Sequence, residues 1–263
     1  MKKIISKENT IIKHIIKLKE KKYRTEYNEF IIEGAKIIKE AIEENANIKN
    51  IIISEEAINN ELVKKQLKTV IETQNYTLVS NSIFKLLSEV EKPQGVLAII
   101  EKNAYNNKID YTQDLILILD NIQDPGNLGT IIRTADSVGL TQILISKGTV
   151  DAYNPKVIRS TMGAIFRVNI LESASLKNEI ENIKKNKFKV VITSLQTEKS
   201  IYDIKLNKVA IVIGNEANGV SKEIKELADI NAIIPMKGKT ESLNASVATG
   251  VILYEYLRQS MYK

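Results

Sequence analysis

Five side chains of this sequence could do chemistry together: Asn127, Arg133, Glu216, Ser242 and Asn244. Each lies in or beside a short polar, glycine-containing stretch that follows an apolar run. The first stretch is Asn121 to Gly129, with a turn at Asp124-Pro125-Gly126; the second is Gly214 to Gly219; the third is Pro235 to Asn244. The hydroxyl and amide side chains could hydrogen-bond a substrate, Glu216 puts a carboxylate at the carboxyl edge of a sheet, and Arg133 lies off the apolar face of its helix, one turn in from the first loop. Each residue also has a plainer reading. Asn127 could cap a helix beginning at 129, Arg133 could pair with Asp136, Glu216 could be a solvated turn carboxylate, and Ser242 and Asn244 could cap the last helix. Their convergence at the ends of three strands is what points to a ligand site.

The remaining composition narrows the chemistry. The chain of 263 residues has no cysteine and one histidine, His14, which excludes thiol nucleophiles, disulfides and His- or Cys-rich metal sites. Gly238-Lys239-Thr240 suggests a phosphate loop, but the first glycine of that pattern would fall on Ile233. No strand is followed by the dinucleotide fingerprint. There is no apolar run of membrane-spanning length and no export signal, so a cytoplasmic location is expected. The net charge is +6, and its distribution is uneven. Residues 1–24 carry nine basic and two acidic side chains, a net of +7, so the rest of the chain is close to neutral. A basic segment on a neutral body is an electrostatic footprint for nucleic acid, or simply a solvated lysine-rich helix.

The elements that would position these residues are α/β throughout. Helical spacing is expected over 8–20, around Ile37 to Ile42, over 55–72 and over 82–90, with strands at Phe30–Ile32, Ile48–Ile53, Thr77–Ser80 and Val96–Ile100. These make a first α/β unit over 1–103. The polar, asparagine-rich stretch 104–113 reads as a linker. Beyond it, strands at Leu115–Leu119, Gln142–Ile145, Lys189–Thr193, Val209–Ile213 and Asn231–Ile234 lack in/out alternation, as buried parallel strands do. Helices are expected at 129–138, 154–162, 175–186, 221–227 and 244–260. The second unit, 114–263, is thus an α/β domain with a parallel sheet.

Three motifs then carry a resemblance. They are Asp124-Pro125-x-Asn127-x-Gly129-x-Ile131-x-Arg133-Thr134-Ala135, Gly214-x-Glu216-x-x-Gly219, and Ile234-Pro235-Met236-x-Gly238-x-x-x-Ser242-Leu243-Asn244-x-Ser246-Val247-Ala248. In this order they resemble the SpoU (TrmH) family of RNA ribose 2′-O-methyltransferases, of the SPOUT class. Phe30-Ile31-Ile32-Glu33-Gly34 and Pro93-Gln94-Gly95-Val96 resemble that family's N-terminal, L30e-like substrate-binding domain. Ala245 and Val138 stand where valine and phenylalanine are common in the family, and neither is a proposed catalytic position.

The resemblance implies S-adenosyl-L-methionine as methyl donor, a C-terminal trefoil knot, a homodimer through the knotted domain and no metal. By position it assigns cofactor contacts to Thr193, Gly214, Ile234, Met236 and Leu243. It assigns Arg133 to the reacting 2′-hydroxyl, with Asn127, Glu216, Ser242 and Asn244 around it. A guanidinium keeps its proton, so a substrate phosphate assists or Arg133 orients the hydroxyl and stabilises the developing alkoxide. RNA contacts are expected from Lys17, Lys21, Lys22 and Arg24 in the basic segment and from Arg159, in Arg159-Ser160-Thr161-Met162-Gly163-Ala164. The large first unit favours 23S ribosomal RNA as target. The alternatives are a tRNA 2′-O-methyltransferase and a non-catalytic RNA-binding or ribosome-assembly protein of the same fold.

Overall fold

The computed structural model describes residues 3–102 and 108–261. Residues 104–107 of the expected linker, and Lys2 of the basic segment, lie outside them. The chain divides into two compact units, Met1–Ala104 with Tyr153–Phe166, and Tyr105–Ala152 with Arg167–Lys263.

In the first unit, helix α1 (Thr10–Lys17) is capped by Asn9, whose side chain accepts from the Ile11 amide at 2.9 Å. Helix α2 (Lys21–Glu26) follows as a second, separate helix beyond the one expected over 8–20, which is α1. Strand β1 (Glu29–Glu33), helix α3 (Ala35–Glu43) and strand β2 (Ile48–Ser54) come next. Two short helices, α4 (Glu61–Gln66) and α5 (Lys68–Glu72), replace the one expected over 55–72. Strand β3 (Thr77–Val79), helix α6 (Asn81–Leu87) and strand β4 (Val96–Glu101) complete the run. The sheet order is β1-β4-β2-β3, with β4 antiparallel to both neighbours and β2 parallel to β3. Ile12 and Ile15 from α1, Leu18 at its C-cap, and Phe84 and Leu87 from α6 pack on Ile31, Ile52, Val79 and Leu97 of the sheet. Burying aliphatic side chains of this size stabilises by about 1.5–3 kcal/mol each.

The second unit opens with β5 (Leu115–Leu119), α7 (Pro125–Ser137) and β6 (Gln142–Ser146). The next helix, α8 (Pro155–Thr161), belongs to the first unit: the Tyr153 ring sits 4.8 Å from that of Phe30, and Gly163 backs so closely onto the Glu40 carboxylate that a Cβ would collide with it. The chain returns as β7 (Asn169–Ser173), α9 (Leu176–Lys185), β8 (Lys189–Thr193), β9 (Val209–Ile213), α10 (Lys222–Lys225), β10 (Ile230–Ala232) and α11 (Ala245–Met261). All pairings are parallel, in the order β10-β8-β9-β5-β6-β7. Ile116, Ile118, Val190, Ile192, Ala210 and Val212 meet Leu176, Ile180 and Ile183 of α9 in one core.

Three features differ from expectation. Strand β7 is absent from the expected set because it is an edge strand, and Asn169, Glu172 and Ser173 break its apolar run. Asp110 exchanges hydrogen bonds with the side chain of Gln142 at 2.8 and 2.6 Å, and Tyr111 packs on Phe188, so these residues of the expected linker build on the second unit. Strand β10 is shorter than expected, and Ile233 beyond it pairs with Ser200. No helix among the described residues is long and apolar enough to cross a membrane.

Candidate active site

The carboxyl ends of β5, β9, β8 and β10 stand side by side, and the three glycine-containing loops leave from β5, β9 and β10. Asp124 is the N-cap of α7, accepting from the Asn127 amide at 2.7 Å, and Pro125 fills the first helical position, where its missing N–H costs nothing. Asn127 is therefore not the cap. It lies inside the first turn, 9% exposed, with its side chain free for other partners.

Those partners come from the other two loops. The Asn127 Nδ2 donates to Glu216 Oε1 at 2.9 Å, and its Oδ1 accepts from Asn244 Nδ2 at 2.9 Å. Asn244 in turn starts α11: its Oδ1 accepts from the Ser246 amide at 2.9 Å, the Ser246 hydroxyl at 2.7 Å and the Val247 amide at 3.3 Å. One amide thus joins three loops that are remote in sequence. Asn127 is nearly buried, so losing either partner would leave a polar group unsatisfied, at about 1–3 kcal/mol.

A second clasp lies beneath, and nothing in the motif spacing announces it. Asp120, 3% exposed, accepts from the Ser221 amide at 2.8 Å and from Asn121 Nδ2 at 2.8 Å. Asn121 adopts a left-handed conformation (φ 59°). Its amide donates to the Ser146 hydroxyl oxygen at 2.8 Å, and its carbonyl accepts from Asn215 Nδ2 at 2.8 Å. The available signal is a polar Asp-Asn pair directly after a fully buried five-residue strand. Gly214 is explained here too. A Cβ on it would overlap the backbone of Gly219 and Val220, so the loop's own crossing demands glycine there.

Arg133 stands exposed on α7, and among the described residues it makes no hydrogen bond or ion pair. Its alternative partner, Asp136, is occupied by Arg167, which donates through Nε at 3.0 and 3.1 Å and through Nη2 at 2.9 Å. Behind Arg133, α7 packs against α11 through Thr134 and Gly250. Ser242 is exposed two residues before Asn244 and, among the described residues, has no hydrogen bond of its own.

The positions assigned to a cofactor fall along the same edge. Thr193 ends β8 and Gly214 follows β9, while Ile234, Met236 and Leu243 lie beyond β10, all three partly or largely exposed. Among the described residues, the backbone N–H groups of Ile234 and of 236–243 donate to no backbone carbonyl. Exposed aliphatic side chains beside free backbone donors suit a purine nucleoside: its faces need apolar contact and its edges need hydrogen bonds.

The basic segment holds two kinds of cation. Lys17, Lys21 and Lys22 are exposed. Arg24 is 2% exposed, with Nη1 donating to the carbonyls of Leu18 at 2.8 Å and Lys19 at 2.7 Å. The expectation of a phosphate contact from Arg24 is thereby corrected, since its guanidinium closes the C-terminal end of α1. Arg159, half-buried on α8, lines a cleft of about 340 Å³ in the first unit with Glu33, Lys36, Glu40 and Lys92.

Comparison with known proteins decides the family. The SpoU rRNA Methylase family model matches residues 114–254, more than half of the chain. This chain belongs to that family. A second family model, the MRM3-like substrate binding domain, matches residues 9–98 of this SpoU methylase chain. The 23S rRNA (guanosine(2553)-2′-O)-methyltransferase RlmP of Bacillus subtilis is 34% identical over 259 residues, covering 97% of this chain and 98% of that protein. The AdoMet-bound rRNA methyltransferase of Sinorhizobium meliloti superposes with a TM-score of 0.82 at 29% identity, over 98% of this chain and 97% of that one. The SpoU methyltransferase AviRb of Streptomyces viridochromogenes, in complex with AdoMet, gives 0.84 at 26% identity over 96% and 98%. The α/β fold with its parallel sheet is that of these SpoU enzymes.

Proposed function

We propose that this SpoU chain transfers a methyl group from S-adenosylmethionine to a ribose 2′-hydroxyl of 23S ribosomal RNA. The observation that carries this reading is the Glu216–Asn127–Asn244 chain of hydrogen bonds, with Arg133 exposed on the same helix as Asn127 and, among the described residues, without a hydrogen bond or ion pair. Support for the substrate comes from the first unit and from the relative in Bacillus subtilis, which matches along nearly its whole length.

S-adenosylmethionine supplies an electrophilic methyl group on a sulfonium. Thr193, Gly214, Ile234, Met236 and Leu243 are the residues of this chain that would hold it. The remaining task is to bring one weakly acidic hydroxyl oxygen into line and relieve it of its proton. Alignment of two bound reactants is worth roughly 7–11 kcal/mol when geometry is good. Arg133 contributes by donating to the 2′-oxygen and stabilising the charge it gains, at roughly 3–4 kcal/mol for one well-placed donor. A guanidinium holds its proton at neutral pH, so the proton goes to another group, and a substrate phosphate is the acceptor we favour. Asn127, Glu216 and Asn244 fix the loop geometry around Arg133, and Ser242 is placed to reach the ribose. Lys17, Lys21, Lys22 and Arg159 contact RNA phosphates.

Two further parts of this reading follow from family membership. We place a trefoil knot at the C-terminal end of the chain. Its support is the pairing of Ile233 with Ser200, reinforced by the Ile201 amide on the Ile233 carbonyl at 2.8 Å, which threads the chain after β10 beside the segment after β8. We also place a homodimer interface on the knotted domain, in a cytoplasmic protein that acts without a metal. The test is transfer of labelled methyl from S-adenosylmethionine to deproteinised ribosomal RNA. The expected product is an alkali-resistant 2′-O-methyl nucleotide in the 23S species. Label on a base, or on tRNA alone, overturns the reading.

A further inference from the structure

We propose that Tyr23, backed by Tyr27, is a stacking platform for one unpaired base of the RNA, with Lys17 and Lys22 on the adjoining phosphates. The proposal rests on the reading of this chain as an RNA-modifying protein. It adds a contact to a base where the charge pattern alone implies contacts to phosphate.

The two tyrosines lie four residues apart on α2 and at its end, so they share one helix face. Their rings are nearly parallel, 11° apart, with centroids 6.0 Å from each other in an offset stack. Behind Tyr27 stands the ring of His14 at 4.8 Å, tilted by 59°. His14 is itself held by the Glu29 carboxylate at 2.5 Å, and Tyr27 packs against the core of the first unit. The aromatic ladder therefore runs outward from the core and ends at Tyr23. Arg24, on the buried side of the same short helix, ties α2 to the carbonyls of Leu18 and Lys19 just past the end of α1. The platform is set before anything binds.

The cations around it are selective. Lys3 pairs with Glu55 and Lys13 with Glu8, each at 2.5 Å, and Lys19 donates to the Leu86 carbonyl at 3.1 Å. Lys17 and Lys22 instead hold their ammonium groups over the Tyr23 ring, 5.4 and 5.5 Å from its centre, where an incoming phosphate can draw them aside, and Lys17 also donates to the Tyr27 hydroxyl at 3.5 Å. Ammonium groups next to an aromatic face are the pairing that single-stranded nucleic acid uses: the face takes a base and the charges take the phosphates beside it. A duplex hides its base faces within the stack, so it would meet the lysines but not the platform.

The experiment uses the full chain and two fluorophore-labelled RNAs, a hairpin with an unpaired loop and a fully paired duplex of equal charge. Tyr23→Ala is expected to weaken hairpin binding about tenfold, within the range for loss of one base–aromatic stack, with duplex binding changed less than twofold. Its salt dependence should stay parallel to that of the parent, because every lysine–phosphate pair is retained. Tyr23→Phe should bind like the parent. Lys17→Ala with Lys22→Ala should weaken both RNAs and flatten the salt dependence. As a check independent of any variant, 2-aminopurine in the hairpin loop should lose fluorescence on binding the unaltered protein. Equal losses for hairpin and duplex on Tyr23→Ala, or unquenched 2-aminopurine, overturn the platform. Competition by poly-glutamate that itself depends on Tyr23 also overturns it, in favour of an acidic protein partner. Tyr23-dependent hairpin binding without methyl transfer would leave the platform standing and remove the catalytic reading. Methyl transfer indifferent to Tyr23 would do the reverse.

Discussion

In the first unit, Lys17, Lys21 and Lys22 stand exposed near a pair of stacked tyrosines; in the second, Asn127 joins Glu216 and Asn244 through two hydrogen bonds of 2.9 Å. The first arrangement works by charge, which is long-ranged, additive and tolerant of which lysine supplies it. The second works by geometry, in which each donor has one acceptor and no neighbour can replace it. A basic surface can therefore be found by counting charges, but its members cannot be told apart that way. A hydrogen-bonded site can be found only by spacing, yet spacing names its members one at a time.

Substitutions should separate the two modes, in descending order of effect. Arg133→Ala is expected to lower methyl transfer by about 10²–10³-fold, the loss typical of one transition-state donor, with cofactor affinity by calorimetry unchanged within about twofold. Joint loss of turnover and cofactor binding would mean that Arg133 supports the fold. Arg24→Met should destabilise the first unit by about 2 kcal/mol in a denaturant titration, because the Leu18 and Lys19 carbonyls lose a charged donor. It should leave the salt dependence of RNA binding in place, which is where it would differ from a phosphate-binding arginine. A double-mutant cycle on Asn127→Ala and Asn244→Ala should return a coupling of about 1 kcal/mol in stability; additivity would dissolve the clasp into independent contacts. Replacing Lys17 and Lys22 should lower the slope of log affinity against log salt by about 0.7 for each phosphate that is no longer neutralised.

The smallest effect tests electrostatics inside the second unit. Glu255 is 7% exposed, and hydrogen bonding to Arg258 holds its carboxyl below the ordinary glutamate value of 4.5. A lowered folded value means that its stabilisation is complete above that ordinary value and disappears as pH falls through the folded one. Glu255→Gln should thus cost about 0.5 kcal/mol at neutral pH, a difference that closes in acid melts below pH 4.5. A difference that persists there would assign the loss to packing.

The contrast between charge and geometry also governs what is legible in the sequence. Strands β5, β8 and β9 fall on the expected residues because buried parallel strands are uninterrupted apolar runs. Asn127, Glu216 and Asn244 are named by their motifs, but their mutual bonding is not, since a motif records positions and not which side chain turns toward which. Asn127 resembles a cap because asparagine favours that role, while Asp124 holds it in a turn that proline starts. The Asp120 and Asn121 clasp is invisible in the sequence because its partners, Ser221, Ser146 and Asn215, are backbone and side-chain groups distant along the chain. Arg24 and Lys19 read as surface charge because a linear sequence does not show that a helix ends beneath them.

The Asn127–Asn244 hydrogen bond spans 117 positions of the chain. During synthesis, the first unit's four-stranded sheet is complete once Glu101 has emerged, and contacts to RNA can form early. The proposed catalytic edge cannot close until Asn244 has left the ribosome and α11 has begun to form, since long-range pairing waits on chain length. A nascent chain of this protein is thus expected to bind RNA before it is an enzyme, and a truncation after Phe166, where the first unit is complete, but before Asn244 is expected to yield a protein that occupies its RNA without modifying it.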